Sequence, residues 1–191
     1  MSEKEQIENY CEDMTQFIEL SNEIENYDVD KCFKACLNFF LGYPISYCTD
    51  DEYIASHLRM LVASNKTTKE DCIENYCSIH SLIGDKVLES GTPGSLRTTA
   101  GQSRSGNEYA KPSNIVKYCN RLKECSNPFA KHILYEWIHP FSDGNGRSGR
   151  IILAKDLKYD FSKCVQFCGK DYITRIESFI NRFENLENIF S

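Results

Sequence analysis

The 191-residue chain has no stretch approaching eighteen consecutive apolar residues, which argues against a membrane-spanning helix. Its first twenty residues, MSEKEQIENYCEDMTQFIEL, are acidic where a secretory leader would be basic and then apolar. A soluble, cytoplasmic protein is the expectation. The chain also lacks a surplus of positive charge. With a formal net charge of −6 and a pI near 5.3, it has no overall field to hold a nucleic acid backbone or an anionic membrane. Ten cysteines are present, but no Cys-x-x-Cys. The pairs Cys32 and Cys36, Cys72 and Cys77, Cys119 and Cys125, and Cys164 and Cys168 stand apart from the four histidines, so zinc-ligand spacing is missing. Reduced thiols packed as small apolar side chains are expected. No internal repeat or low-complexity segment occurs, and the length suits one hydrophobic core.

Glycine and proline are missing from residues 3 to 41, where Ile7, Tyr10, Cys11, Met14, Phe17 and Ile18, then Val29, Phe33, Cys36, Leu37 and Phe40, recur at helical intervals. Two amphipathic helices fit. Gly42, Pro44 and Cys48–Asp51 break the pattern, and Thr49 or Asp50 can cap a helix through Tyr53, Ile54, His57, Leu58, Leu61 and Val62. Thr68–Asp71 caps the next, with a stripe of Cys72, Ile73, Tyr76, Ile79, His80 and Ile83. Residues 84 to 113 then hold five of the ten glycines and two prolines, with β-compatible pieces at Leu96–Ala100 and Glu108–Lys111 around a polar turn. A projecting hairpin is expected there. Helical periodicity resumes at Ile115. Asn127-Pro128 reads as an N-cap with proline at the first helical position, opening a helix whose stripe of Phe129, Ile133, Leu134, Trp137 and Ile138 is wide enough for the centre of the fold. A second apolar helix holds Ile151–Leu157, and a long amphipathic one runs from Tyr172 to Ile189. The fold class is all-α with one small β-hairpin. The chain divides into N-terminal helices over 1–48 and a core over 49–191.

Between the two apolar helices lies His139-Pro140-Phe141-Ser142-Asp143-Gly144-Asn145-Gly146-Arg147-Ser148-Gly149-Arg150. Its glycines let successive backbone N–H groups turn inward as an anion nest, and the nest opens a helix whose dipole adds to the attraction for phosphate. Arg147 and Arg150, three residues apart, can clamp further phosphate oxygens. Asp143 is a hard carboxylate of the kind that Mg²⁺ bound to phosphates takes from a protein. His139, with an ordinary pKa of about 6.5, can accept the proton of an attacking hydroxyl. Taken singly, a histidine after an aromatic helix is more often packing, and two arginines three apart are more often a solvated face. Together at a helix entry they serve no packing purpose. Gly144, Gly146 and Gly149 also spell G-x-G-x-x-G, but they follow a helix, where a dinucleotide fingerprint needs a strand. Gly101 and Gly106 have P-loop spacing but lead into Asn107 and Glu108.

The run HPFSDGNGRSGR resembles the signature of the Fic family, H-P-F-x-[DE]-G-N-G-R-x-x-R, at every specified position, and the likeness extends from about Asp50 to Asn181. The resemblance implies an all-α Fic fold, a helical bundle with a β-hairpin flap at about 94–112, entered through Pro93–Arg97. It also implies an enzyme that moves AMP from ATP onto Ser, Thr or Tyr of a target protein and releases pyrophosphate. By position, His139 would be the general base and Asp143 the Mg²⁺ ligand. Gly144, Asn145 and Gly146 would surround the α and β phosphates, Arg147 would hold the β phosphate and Arg150 the γ phosphate. Phe141 would anchor the loop in the core, and Tyr172 would line the adenine pocket. The target would add a strand to the flap. Self-modification is a further implied activity, and a homo-oligomer is left open.

Many members of that family also carry [ST]-x-x-x-E-[GN] on a helix whose glutamate pairs with the second motif arginine. Ser21-Asn22-Glu23-Ile24-Glu25-Asn26 resembles it, which implies a Glu25–Arg150 ion pair that blocks productive ATP binding. In some relatives this glutamate positions water to remove AMP instead. Doc-type kinases resemble the family but carry Lys where this chain has Gly146. Relatives that use another nucleotide donor, and non-catalytic nucleotide-binding regulators, complete the alternatives.

Overall fold

The computed structural model describes residues 2–27, 32–67, 72–182 and 186–190. Helix α1, Glu3–Glu23, starts from a reciprocal cap in which Ser2 Oγ accepts the Glu5 N–H and Glu5 Oε2 accepts the Ser2 N–H. It buries Cys11, Met14, Phe17, Ile18, Ser21 and Asn22. Asn26, at φ 63°, turns the chain out of it, and the Tyr27 N–H reaches back to the Asn22 carbonyl at 3.0 Å. Helix α2, Cys32–Phe40, is the second expected helix. Val29 lies outside the described residues. A short helix α3, Ile45–Cys48, fills part of the expected break.

Helix α4, Glu52–Lys66, is capped one residue later than Thr49 or Asp50: Asp51 Oδ1 accepts the N–H groups of Tyr53 and Ile54 at 2.8 and 3.1 Å. Thr49 instead orients that cap by accepting the Asp51 N–H. Helix α5 is Ile73–His80, and its expected cap at Thr68–Asp71 lies outside the described residues. Helices α6, Ile115–Arg121, and α7, Pro128–Ile138, follow. Asn127 caps α7 as its sequence demands, with Oδ1 3.0 Å from the N–H groups of Phe129 and Ala130. The remaining helices are α8, Asn145–Asp156; α9, Phe161–Cys168; and α10, Tyr172–Arg182. The last is shorter than expected and is succeeded by a 3₁₀ turn at Leu186–Phe190. No helix among the described residues is long and apolar enough to cross a membrane.

The central element is α8 rather than α7. It packs against α1, α4, α5, α7 and α9, and Ile151, Ile152, Leu153 and Ala154 are at most 3% exposed. Phe129 and Ile133 of α7 only lean on the core from its edge. All ten cysteines are free thiols, six of them buried, in line with reduced apolar packing.

No β-hairpin forms among the described residues. Residues 94 to 112 instead cross the C-terminal end of α7 as a strap, with single bridges at Leu96–Phe141 and Gln102–Glu108. The reason lies in where the backbone groups go. The Arg97 N–H bonds to the Pro140 carbonyl at 2.9 Å, and the Ala110 N–H to the Trp137 carbonyl at 3.2 Å. The buried Arg97 guanidinium takes the carbonyls of Thr99, Ala110, Ile138 and His139, the last from Nε at 2.6 Å. The two ends of the strap are thus bonded to the end of α7 and the loop after it, where a cation also favours the dipole, and only the tip pairs with itself, the Tyr109 N–H on the Gly101 carbonyl at 3.0 Å and the Ser103 N–H on the Asn107 carbonyl at 2.8 Å. Arg97→Ala should therefore lower unfolding stability in urea by about 2 to 4 kcal/mol, because it orphans buried carbonyls at both ends of the strap.

Candidate active site

The loop between α7 and α8 is built by backbone strain and by one amide. His139 ends α7 in the left-handed region at φ 51°, and Gly144 opens α8 at φ 74°. A Cβ on Gly144 would stand 2.7 Å from Ile83 Cδ1, so both conformation and space demand glycine there. Phe141 is fully buried, and Asn145 clasps it with both ends of its side chain: Oδ1 accepts the Phe141 N–H at 2.9 Å and Nδ2 donates to its carbonyl at 2.8 Å. His80 braces the loop from α5. Its ring stacks on Phe141 at 3.8 Å, Nε2 donates to the Asp143 carbonyl at 2.8 Å, and Nδ1 accepts the Gly94 N–H at 2.8 Å.

A cavity of about 260 Å³ opens beside this loop. His139, Asp143, Gly144, Asn145, Gly146, Arg150 and Glu25 all line it, with Ile24, Ile173, Ile176 and Ile180 as an apolar wall. No side chain caps α8, so the N–H groups of its first turn face the cavity as free donors. His139 is oriented rather than loosely placed. Its ring lies parallel to that of Tyr109 at 3.8 Å, and Nδ1 sits 3.2 Å from the Glu136 carbonyl. A carbonyl only accepts, so the proton is on Nδ1 and Nε2 is left as an acceptor. Burial pushes the imidazole down to about 4, which keeps it neutral at cellular pH.

Arg150 is the most enclosed charge. Only 1% exposed, it donates from Nε to Ser21 Oγ at 2.8 Å and from Nη2 to the Ser21 carbonyl at 3.0 Å and Glu25 Oε1 at 2.7 Å. Ser21 passes its own proton to His57 Nε2 at 2.8 Å, because His57 Nδ1 must hold a proton for the Tyr53 carbonyl. Burial raises the Glu25 carboxyl, but Arg150 and then Arg147 outweigh it and hold the group below the usual carboxylate range.

Comparison with known proteins sets a partial likeness beside this geometry. Residues 71–156 match the Fic/DOC family model. That stretch runs from α5 to the end of α8 and so includes the whole loop. Among solved structures, a Fic family protein from Desulfovibrio desulfuricans G20 shares the fold, with a TM-score of 0.58 at 16% identity over 95% of this chain. The chain spans 59% of that protein's length. No curated protein matches it.

Not every residue singled out from the sequence reaches the cavity. Arg147 is turned away: Nη1 donates to the Val87 carbonyl at 2.7 Å, Nη2 to Asp143 Oδ1 at 3.3 Å, and its guanidinium lies 5.7 Å over the Tyr27 ring. The expected phosphate clamp of two arginines is therefore a single arginine here, because Val87 and Asp143 hold the other. Tyr172 does not line the cavity either. It is 3% exposed, and its hydroxyl donates to His132 Nε2 at 2.5 Å, so the adenine-pocket expectation is corrected to a core role. Its neighbours Ile173 and Ile176 form that wall instead. The Asn145 side chain shapes the loop, leaving only its backbone to a ligand. Ser21 and Asn26 stand behind the cavity, one steadying Arg150 and the other ending the helix.

Four residues of the site escaped sequence reasoning. His80 reads as one member of a helical stripe, Tyr109 as a hairpin position and Arg97 as a hairpin lead-in, while Glu136 carries no sequence signal of its own. The four histidines of the chain share one design: each has a ring nitrogen on a backbone carbonyl, and burial lowers each pKa, His57, His80 and His139 to about 4 and His132 to about 3.

On unfolding these rings recover a pKa of about 6.5 and take up protons that the folded chain refuses. The stability from their neutral burial is present above pH 6.5 and is lost as pH falls through the folded values near 4. Urea midpoints should fall with acidity across pH 6.5 to 4 by up to about 1.4 kcal/mol per pH unit for each of the deeply buried His57, His80 and His132. Replacing His57 with Gln should reduce that slope by one proton.

Proposed function

We propose that the chain transfers AMP from ATP to a hydroxyl side chain of a protein target, and that Glu25 restrains the reaction. The observation that carries this reading is the meeting, in one cavity, of the Nε2 acceptor of His139, the open first turn of α8 and the Arg150 guanidinium. Backbone N–H groups at a helix start bind phosphate oxygens, and fixed donors of this kind stabilise the charge that builds up during phosphoryl chemistry. His139 would accept the proton of the attacking hydroxyl as it bonds to the α phosphorus, with pyrophosphate leaving. Tyr109 and the Glu136 carbonyl support the required ring orientation.

Asp143 suits a phosphate-bound Mg²⁺. It lies on the cavity rim, 24% exposed, and its carboxylate is aimed by the N–H groups of Glu89 at 2.7 Å and Gly144 at 2.6 Å. Such an ion takes one carboxylate and fills its other positions with phosphate and water, and no cluster of three ligating side chains among the described residues suggests a different metal. Bound there, Mg²⁺ would neutralise phosphate charge. The target would dock on the strap at residues 97–111, beside His139.

Glu25 occupies Arg150 at 2.7 Å and lines the same cavity, so it competes with phosphate for the guanidinium. A charge-assisted bond of this sort contributes about 1.5 to 3 kcal/mol, enough to hold back nucleotide by roughly tenfold or more. Glu25→Gly should raise AMP incorporation by about that factor when the protein is incubated with Mg²⁺ and ATP and weighed by mass spectrometry. His139→Ala in the same background should lower it by about 10² to 10⁴. A gain of phosphate in place of AMP would argue for a kinase, and unchanged labelling after Glu25→Gly would sink the restraint.

A further inference from the structure

Glu136 sits on α7 one turn before His139. Its side chain, 13% exposed, lines the cavity, while Oε1 is buried without a hydrogen-bond partner. Gly149 makes room for it, since a Cβ there would lie 2.6 Å from Oε1.

No cation is hydrogen-bonded to Oε1. On its own helix, His132 Nε2 is 3.7 Å away but neutral, because that nitrogen accepts the Tyr172 proton while Nδ1 donates to the Gly149 carbonyl. His139 is neutral for the reason given above, and Tyr135 keeps its proton. From α8, Arg150 is within electrostatic reach but bonded to Ser21 and Glu25. Glu25 adds a second negative charge from the end of α1. Cys168 of α9, Tyr172 of α10 and Tyr109 of the strap are weak acids that burial holds protonated, and the strap's Arg104 and α10's Glu177, of opposite charge, line the same cavity.

We propose that Glu136 is a further nucleotide-binding residue, one that meets the bound nucleotide as a neutral carboxylic acid and donates its O–H to it. The proposal rests on reading this cavity as the nucleotide site. A polyphosphate entering here can exchange with Glu25 for Arg150, but Glu136 Oε1 has no bonded cation to exchange. As a carboxylate it would repel the ligand and offer only acceptors. A single proton, taken from solvent, removes the repulsion and creates a donor. Burial already pushes the carboxyl up to about 7, with Arg150 opposing and Glu25 adding to the rise, which makes the proton easier to acquire.

Binding should then take up a proton when the pH is above 7, and affinity should weaken as pH rises, by up to about tenfold per unit. The test uses the full chain with His139→Ala, which stops turnover and removes the other ring able to gain a proton. Titration calorimetry with Mg²⁺ and ATP at pH 8, in two buffers of different ionisation enthalpy, should give uptake approaching one proton per nucleotide. Glu136→Gln, neutral and of the same shape, should bind without uptake and with an affinity that does not change between pH 6.5 and 8.5. Binding without proton uptake in the His139→Ala protein, or equal uptake after Glu136→Gln, would overturn the proposal. Failure of ATP to bind at all, with Glu25→Gly added, would refute the nucleotide reading itself and this inference with it.

Discussion

A helix buried on every side cannot carry two arginines unless the surrounding elements satisfy them, and that constraint organises this protein. Desolvating a guanidinium costs several kcal/mol unless its donors are bonded and its charge is matched. For Arg150 the answer comes from far along the chain: Ser21 and Glu25 on the N-terminal helix, steadied by His57 of α4. For Arg147 it comes from Val87 and Asp143, and in each case the answer is partial, since Arg150 Nη1 and Arg147 Nε are buried without a hydrogen-bond partner. The N-terminal helix is therefore part of the charge balance of α8 as well as of its apolar packing, and the orientation of its last turn follows from the arginine it must reach.

Around those charges the polar groups are directional and almost all neutral. Backbone carbonyls fix which nitrogen of each histidine holds the proton, so no ring is free to change partner without unsatisfying a buried oxygen. This gives the candidate site an electrostatic pattern of the start of α8, the buried Arg150 guanidinium, the rim carboxylate of Asp143 and the imidazole acceptor of His139, with Arg104, Glu25 and Glu177 also on the lining. Such a pattern does not have to reorganise when a charged ligand arrives, which is what makes fixed dipoles effective in a water-poor cavity. Glu136 is the exception, a group whose charge is free to change.

Most of this was legible where the signal was local. Asn127-Pro128 announces α7, the glycine spacing announces the loop, and the motif at 139–150 announces an anion site, because caps, positive φ and helix starts are properties of a few adjacent residues. Ser21 to Asn26 was legible as a pattern, and the 2.7 Å contact of Glu25 with Arg150 follows its register. What could not be read depends on direction rather than position. Arg147 points to Val87 and not to the cavity, Tyr172 points inward to His132, and the 94–112 segment ties its two ends to α7 and the loop after it, so that only its tip pairs with itself. Each outcome is decided by a distant partner that no local spacing reveals.

Gly146 shows why one surface can both bind and be blocked. Without a side chain there, Glu25 Oε1 and Arg150 Nη1 come within 2.6 and 2.9 Å of where its Cβ would stand. Those same missing atoms leave the first-turn N–H groups open to an external anion. On the proposed function, the in-chain carboxylate and a phosphate would compete for one place, and they would compete unequally. Glu25 is tethered by a helix and a reverse turn at Asn26, so it would act at an effective concentration in the millimolar range or above, without the loss of freedom that a separate ligand suffers. A nucleotide would win only through its extra charges and its contacts with the isoleucine wall. The balance is then set by how firmly the last turn of α1 holds its shape, and the Tyr27 N–H to Asn22 carbonyl bond at 3.0 Å is the piece of backbone that holds it.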